Sequence, residues 1–245
     1  MLEREIQFHS YDVDADGTVK ISSIMHHMQQ AAGDDLSQSG LTYKAMRDLG
    51  HVFVISKSRM IFSRLPDYEA PFTLRTIPIL IHGATFIRDF YLERDGEIYM
   101  KASTAWALLD YEKRILLRPS VLTIDIPHDV SCSVGFEPTK TTLPRALSTT
   151  DPSEILDKRR VYRSMLDENR HLNNCLYSDL IFDYTSRIYK APEIQISFMS
   201  EAREDDVILI SRIVSDECEY FIGFNETHGR RCFEASVSES VKSVK

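Results

Sequence analysis

The feature that most constrains this chain is an internal repeat. A shift of 153 residues lays Asp14-Ala-Asp-Gly-Thr-Val19 on Asp167-Glu-Asn-Arg-His-Leu172, and each hexamer runs into a helix-forming pattern. In the first copy Ile21, Met25, Met28 and Ala32 recur at i, i+4, i+7 and i+11, and in the second Leu172, Leu176, Leu180 and Tyr184 recur every four residues. Both patterns predict a helix that buries one stripe. After each helix the periodicity changes to two, with β-branched and aromatic residues, which predicts strands near 52–63, 71–79, 84–94 and 97–109, and again near 193–200, 206–214, 217–225 and 231–238. Asp95-Gly96 suits a type I′ hairpin turn, and the short breaks at Ser215-Asp216 and His228-Gly229 make antiparallel neighbours the natural pairing.

A helix wrapped by an antiparallel sheet, duplicated in one chain, is an α+β arrangement known as a tandem double hotdog. One unit alone would leave a strand edge and part of its helix open, and duplication covers both. The expected division is a first unit over 1–125, a linker over 126–155 and a second unit over 156–245. The linker is rich in Ser and Thr and carries Pro127, Pro138, Pro144 and Pro152.

With 245 residues, 43% hydrophobic and 27% charged, the chain can bury a substantial core. It has no apolar run near the roughly 20 residues a bilayer crossing needs, and Met1-Leu-Glu-Arg-Glu-Ile6 lacks the layout of a signal peptide, so a cytoplasmic protein without a membrane span is expected. Cys132, Cys175, Cys218 and Cys232 show no CxxC spacing. A net charge of -8 disfavours nucleic acid and anionic membrane as partners. Two local groups run against that balance: Lys158, Arg159, Arg160 and Arg163, and the smaller Lys113, Arg114 and Arg118. The ordinary explanation for either is a solvated basic face.

Chemistry is concentrated in Asp167, Asn169, His171, Asn173 and Asn174, five polar side chains in eight positions leading into the second predicted helix. The first helical turn offers unpaired N–H groups and positive dipole character, so a carbonyl oxygen resting there would be polarised for acyl transfer. In the first copy the aligned residues are Asp14, Asp16, Thr18, Lys20 and Ile21. Only the acidic pair is kept, and a cap needs no more than that. One copy reads as structural and the other as equipped. Asp12-Val-Asp-Ala-Asp-Gly17 imitates the start of a calcium loop, but the twelfth position is Ser23 rather than Glu, and the adjacent His26 and His27 point to different sides of a helix. Neither a metal nor a cofactor is expected.

The run Asp167-Glu-Asn-Arg-His-Leu-Asn-Asn174, followed by Tyr177, resembles the signature of the plant and bacterial acyl-acyl-carrier-protein thioesterases. The likeness extends to Tyr11-Asp-Val-Asp-Ala-Asp-Gly17 and to the stretch from Trp106 to Pro119. It implies hydrolysis of fatty acyl-acyl carrier protein to free fatty acid, ending fatty acid synthesis, with Asp167, Asn169 and His171 catalytic and Asn173 and Asn174 at the substrate. A segment resembling Phe198-Met-Ser-Glu-Ala-Arg-Glu-Asp-Asp206 implies that Glu201 is the catalytic carboxylate. Many relatives carry a cysteine after that glutamate, whereas this chain has Ala202, which leaves carboxylate-assisted attack; Cys175 is the nearest substitute thiol, and packing is its ordinary role. The resemblance places the acyl chain in the first unit, where Met25 and Met28 are candidate lining residues, and implies a homodimer. Acyl carrier protein is acidic, which makes Lys158, Arg159, Arg160 and Arg163 candidate docking residues. The rival expectations are a thioesterase acting on coenzyme A esters and a noncatalytic acyl-binding protein of the same fold.

Overall fold

The computed structural model describes residues 1–122, 124–145, 147 and 155–240. Its strands are β1 (Leu2–Ile6), β2 (His51–Phe62), β3 (Phe72–His82), β4 (Thr85–Arg94), β5 (Glu97–Asp110), β6 (Asp157–Arg160), β7 (Pro192–Phe198), β8 (Val207–Val214), β9 (Cys218–Asn225) and β10 (Arg230–Glu239). They form one sheet in the order β1-β3-β4-β5-β2-β7-β10-β9-β8-β6. The two halves are fused where β2 pairs antiparallel with β7, from Lys57 opposite Ser197 to Ile61 opposite Glu193. This is the tandem double hotdog that the repeat predicts, with each half contributing five strands.

Alternation of side chains makes one face of this sheet apolar, and helix α1 (Ile21–Gln38) lies against it with Ile21, Ile24, Met25, Met28, Ala31 and Ala32 buried. Phe62, Phe72, Leu74, Phe90 and Leu92 from the first half share one core with Tyr177, Ile181, Phe221 and Phe233 from the second. Fully burying a side chain of this kind contributes about 1.5–3 kcal/mol. The fused sheet therefore holds the halves together through a common core as well as through the β2–β7 hydrogen bonds.

Eight strands lie where periodicity places them, and two short edge strands were not expected. Each has a sequence that hides it: β1 alternates around Glu3, Arg4 and Glu5, and β6 is Asp157-Lys-Arg-Arg160, charged throughout. Charged side chains blunt an edge against pairing with another chain, so the basic cluster is in part an edge-strand device.

The second helix, α3 (Leu176–Phe182), is only seven residues long and so departs from the expected stripe of Leu172 to Tyr184. At its start, the Leu172 N–H donates to the Ala202 carbonyl at 2.7 Å, which pins Leu172 into a loop instead of a helical turn. At its end, the Ser186 N–H donates to both oxygens of the fully buried Glu219, at 3.1 and 2.9 Å, drawing the chain off the helix. A third helix, α2 (Tyr43–Asp48), is capped by Thr42, whose side chain accepts the Ala45 N–H. It packs beside β2.

The chain from Asp129 to Thr141 runs along the sheet from β3 to β7. The Asp129 N–H donates to Pro78, that of Val134 to the buried Asp89 carboxylate, and that of Thr141 to Ser197, so the segment is tied successively to β3, β4 and β7. Pro152, with the rest of 148–154, lies outside the described residues. No described helix is long and apolar enough to cross a membrane.

Candidate active site

The repeat is a repeat of hydrogen bonds. Asp14 Oδ1 accepts the N–H groups of Asp16 and Thr18 at 3.0 and 2.9 Å, and Asp167 Oδ1 accepts those of Asn169 and His171 at 2.8 and 3.0 Å. In each loop the aspartate N–H also donates to the carbonyl four residues on, at 2.8 Å, and the flanking residues form one bridge, Val13 with Val19 and Leu166 with Leu172. Asp14 and Asp167 therefore tie turns; neither caps a helix. The fourth position of each turn needs a left-handed backbone: Gly17 stands there with φ +77° and Arg170 with φ +63°. A side chain in that region costs roughly 1–2 kcal/mol, which glycine avoids.

The loop delivers His171 to Glu201. Nε2 of His171 lies 2.9 Å from Oε2 of Glu201, which sits in the connection between β7 and β8. That connection is held to the loop by the same Leu172-to-Ala202 hydrogen bond that shortens the helix. Glu201 has two further cationic neighbours: Arg203 Nη2 reaches Oε2 at 3.3 Å, and Arg114 Nη1 stands 3.0 Å from Oε1. The hydrogen bond from His171, the charges of His171 and Arg114 and the hydrogen bond from Arg203 outweigh partial burial and hold the Glu201 carboxyl at a pKa of about 2, so it is ionised near neutrality.

Asn169 points another way. Its Oδ1 accepts from the hydroxyl of Tyr43 at 3.2 Å, and that hydroxyl accepts from Arg47 at 2.9 Å. Asp167, Glu168, Asn169 and Asn173 line a cavity of about 640 Å³ whose other walls come mostly from the first half, among them Leu41, Met46, Phe53, Phe86 and Trp106. His171 and Glu201 are outside that lining, so the loop presents Asn169 to the cavity and His171 to Glu201.

The other sequence-derived candidates are placed as follows. Asn173 Oδ1 accepts the Cys175 N–H at 3.0 Å, and its carbonyl accepts that of Leu176 at 3.0 Å, so Asn173 holds the entry to the short helix. Asn174, Met25 and Met28 border a void of only about 20 Å³ beside the main cavity. Cys175 is 2% exposed, burial pushes its thiol well above the ordinary range, and its Sγ donates to Gln29, so it is kept as a thiol and is no nucleophile. Three of the four cations of the candidate docking cluster are paired with carboxylates: Lys158 with Glu226 at 3.0 Å, Arg159 with Asp183 at 2.7 Å and Arg160 with Asp205 at 2.8 Å. Arg163 is exposed in a short 3₁₀ turn. Arg114 was read only as part of a basic surface group; nothing in its spacing links it to position 201, and the fold alone brings the two together.

A ten-stranded sheet around a long helix, with an Asp-Asn-His loop beside a cavity, defines a double-hotdog fold. Residues 1–123 match the family model described as the acyl-ACP thioesterase N-terminal domain, and this chain belongs to the acyl-ACP thioesterase family. It is 26% identical over 200 residues to a chloroplastic acyl-acyl-carrier-protein hydrolase of Cuphea viscosissima, covering 76% of this chain and 47% of that protein. It is 27% identical over 201 residues to a chloroplastic palmitoyl-acyl carrier protein thioesterase of Cuphea hookeriana, again covering 76% and 47%. The chain thus spans about half the length of the curated relatives it matches. The solved structure of the 12:0-ACP thioesterase from Umbellularia californica superposes with a TM-score of 0.78 at 17% identity, covering 97% of this chain and 96% of that one.

Proposed function

We propose that this chain hydrolyses the thioester of fatty acyl groups carried on acyl carrier protein, releasing free fatty acid. The observation that carries the reading is the His171–Glu201 pair, 2.9 Å apart and beside a 640 Å³ cavity that the same loop helps to line. The acyl chain enters the cavity of the first unit, with 126–155 as the connector between the units, and the thioester lies between Asn169 and His171. Asn169 has its oxygen engaged by Tyr43, which leaves its amide N–H groups to donate to the thioester carbonyl.

Glu201 takes a proton from water as the water oxygen bonds to the carbonyl carbon. The tetrahedral oxyanion then collapses, the C–S bond breaks, and the departing thiolate recovers that proton, leaving Glu201 ionised again. Direct attack by Glu201 through an acyl-enzyme anhydride gives the same products. His171 orients the carboxylate, and Asp167 fixes the backbone under Asn169 and His171. Arg163, with the already paired Lys158, Arg159 and Arg160, faces the acidic carrier protein. A homodimer and a cytoplasmic setting complete the proposal, resting on the family resemblance and on the sequence.

The test compares release of fatty acid from acyl-acyl carrier protein with that from the matching acyl-coenzyme A. Preference for the carrier protein supports the reading. Equal turnover, unaffected by charge reversal at Arg163, assigns the coenzyme A ester instead. Binding without turnover leaves only a noncatalytic acyl-binding protein.

A further inference from the structure

We propose that Arg114, from the first unit, is the positioning residue of the catalytic carboxylate: its guanidinium, set against Oε1 of Glu201, holds the carboxylate in place with Oε2 towards His171. The inference rests on the thioesterase reading for its kinetic consequences and on geometry for its structural ones. It makes the site a product of both halves, with the first unit supplying a cation to the chemistry as well as a cavity.

Arg114 is aimed by its backbone. It follows β5 by four residues, in a turn where Asp110 Oδ1 accepts the N–H groups of Glu112 and Lys113 at 3.1 and 2.8 Å and the Asp110 carbonyl accepts the Arg114 N–H at 3.0 Å. Arg114 itself takes φ +56°, a left-handed conformation that a glycine would hold without strain. Strain of this kind persists where the surrounding structure enforces it, and here it points a side chain across to the other half. Lys113, one residue earlier, is 73% exposed with Nζ 3.9 Å from Asp110, so the two neighbours do not share one solvated face.

The contacts at the tip distinguish positioning by charge from an ordinary hydrogen bond. Nη1 is buried and 3.0 Å from Oε1, yet it makes no aligned hydrogen bond. Nη2 lies 3.4 Å from His171 Nε2, the nitrogen that faces Glu201 at 2.9 Å. The Tyr111 ring, with its centroid 5.2 Å from the guanidinium carbon, flanks the other side. Arg203, the remaining cation at Glu201, is 59% exposed against 29% for Arg114. A surface arginine is free to swing, and Arg114 is enclosed by Tyr111, His171 and Glu201.

The experiment follows Arg114→Met, Arg114→Lys and Arg203→Met in the full chain, with two readouts. One is steady-state turnover of acyl-acyl carrier protein; the other is the titration of Glu201 by carbon-13 NMR of labelled glutamate, which needs no turnover. Arg114→Met is expected to lower kcat about 10- to 100-fold with KM within about twofold, and to raise the Glu201 titration midpoint by more than about one pH unit. Arg114→Lys restores most of the midpoint but only part of kcat, because an ammonium lacks the planar fork. Arg203→Met shifts the midpoint less. Should Arg114→Met not fold, Arg114→Gln carries the same expectations. An unchanged kcat and midpoint in a folded variant overturns the proposal, and so does a shift as large from Arg203→Met. If the parent turns over no acyl thioester while the Arg114 midpoint shift is present, the thioesterase reading fails and the positioning of Glu201 stands.

Discussion

Nε2 of His171 lies 2.9 Å from Oε2 of Glu201, and Leu172 and Ala202, the next residue on each side, are joined by a backbone hydrogen bond of 2.7 Å. The His171–Glu201 pair is thus set by a main-chain clamp one residue away, which fixes both partners without relying on their side chains.

The Asp14 and Asp167 turns are built alike, but only the second carries His171 to Glu201. Asp14→Ala and Asp167→Ala each leave two N–H groups without their acceptor; the part-buried pair at Asp167 should cost about 1–3 kcal/mol and the exposed pair at Asp14, which water can meet, about 0.5–1.5 kcal/mol, read from urea midpoints. Asp14→Ala should leave kcat within about twofold, whereas Asp167→Ala should lower it about 100-fold by releasing Asn169 and His171. Equal kinetic losses would remove the division between a structural and an equipped copy.

Arg170 occupies a backbone position that its counterpart Gly17 occupies without strain. Arg170→Gly should therefore stabilise the chain by up to about 1 kcal/mol, with the strain relieved exceeding the entropy that glycine adds to the unfolded state. The urea midpoint measures this directly, and destabilisation would mean that the arginine side chain makes a contact worth more than the strain.

The depressed pKa of Glu201 fixes the direction of two pH effects. Its ion-pair contribution to stability is present above the ordinary value of 4.5 and is lost as pH falls towards about 2, so the stability gap between the parent and Glu201→Gln should narrow between pH 6 and pH 3. For the same reason the acid limb of kcat/KM should lie below pH 4, wherever the fold survives. A limb near pH 6 would assign the essential base to another group.

Docking is expected to depend on Arg163 more than on its neighbours, whose charges are already met by Glu226, Asp183 and Asp205. Arg163→Glu should raise KM for acyl-acyl carrier protein several-fold, reduce the salt dependence of kcat/KM, and leave acyl-coenzyme A turnover unchanged. A larger effect from reversing Arg159 or Arg160 would show that those pairs open on binding.

The strands were legible because their sequences alternate apolar and polar residues around a buried face, and the motif loop because Asp14 and Asp167 serve the same turn 153 residues apart. Less was legible where tertiary contacts override local pattern. Leu172 and Tyr184 keep helical spacing, yet the Ala202 carbonyl and the buried Glu219 draw the chain out of the helix at its two ends. Met25 and Met28 show the buried stripe but not which void they face, and Lys158 to Arg160 show their charge but not the strand they form, because an edge strand made of charges has no hydrophobic signature. Arg114 left no trace at all, since its partner is 87 positions away and the contact exists only once two halves share a sheet.

The most direct test of the central claim is kcat for acyl-acyl carrier protein in Glu201→Gln, with the thermal midpoint measured alongside. A loss of about 10²–10⁴-fold with the fold intact is the expected result. A folded Glu201→Gln variant that turns over at the parent rate would contradict it.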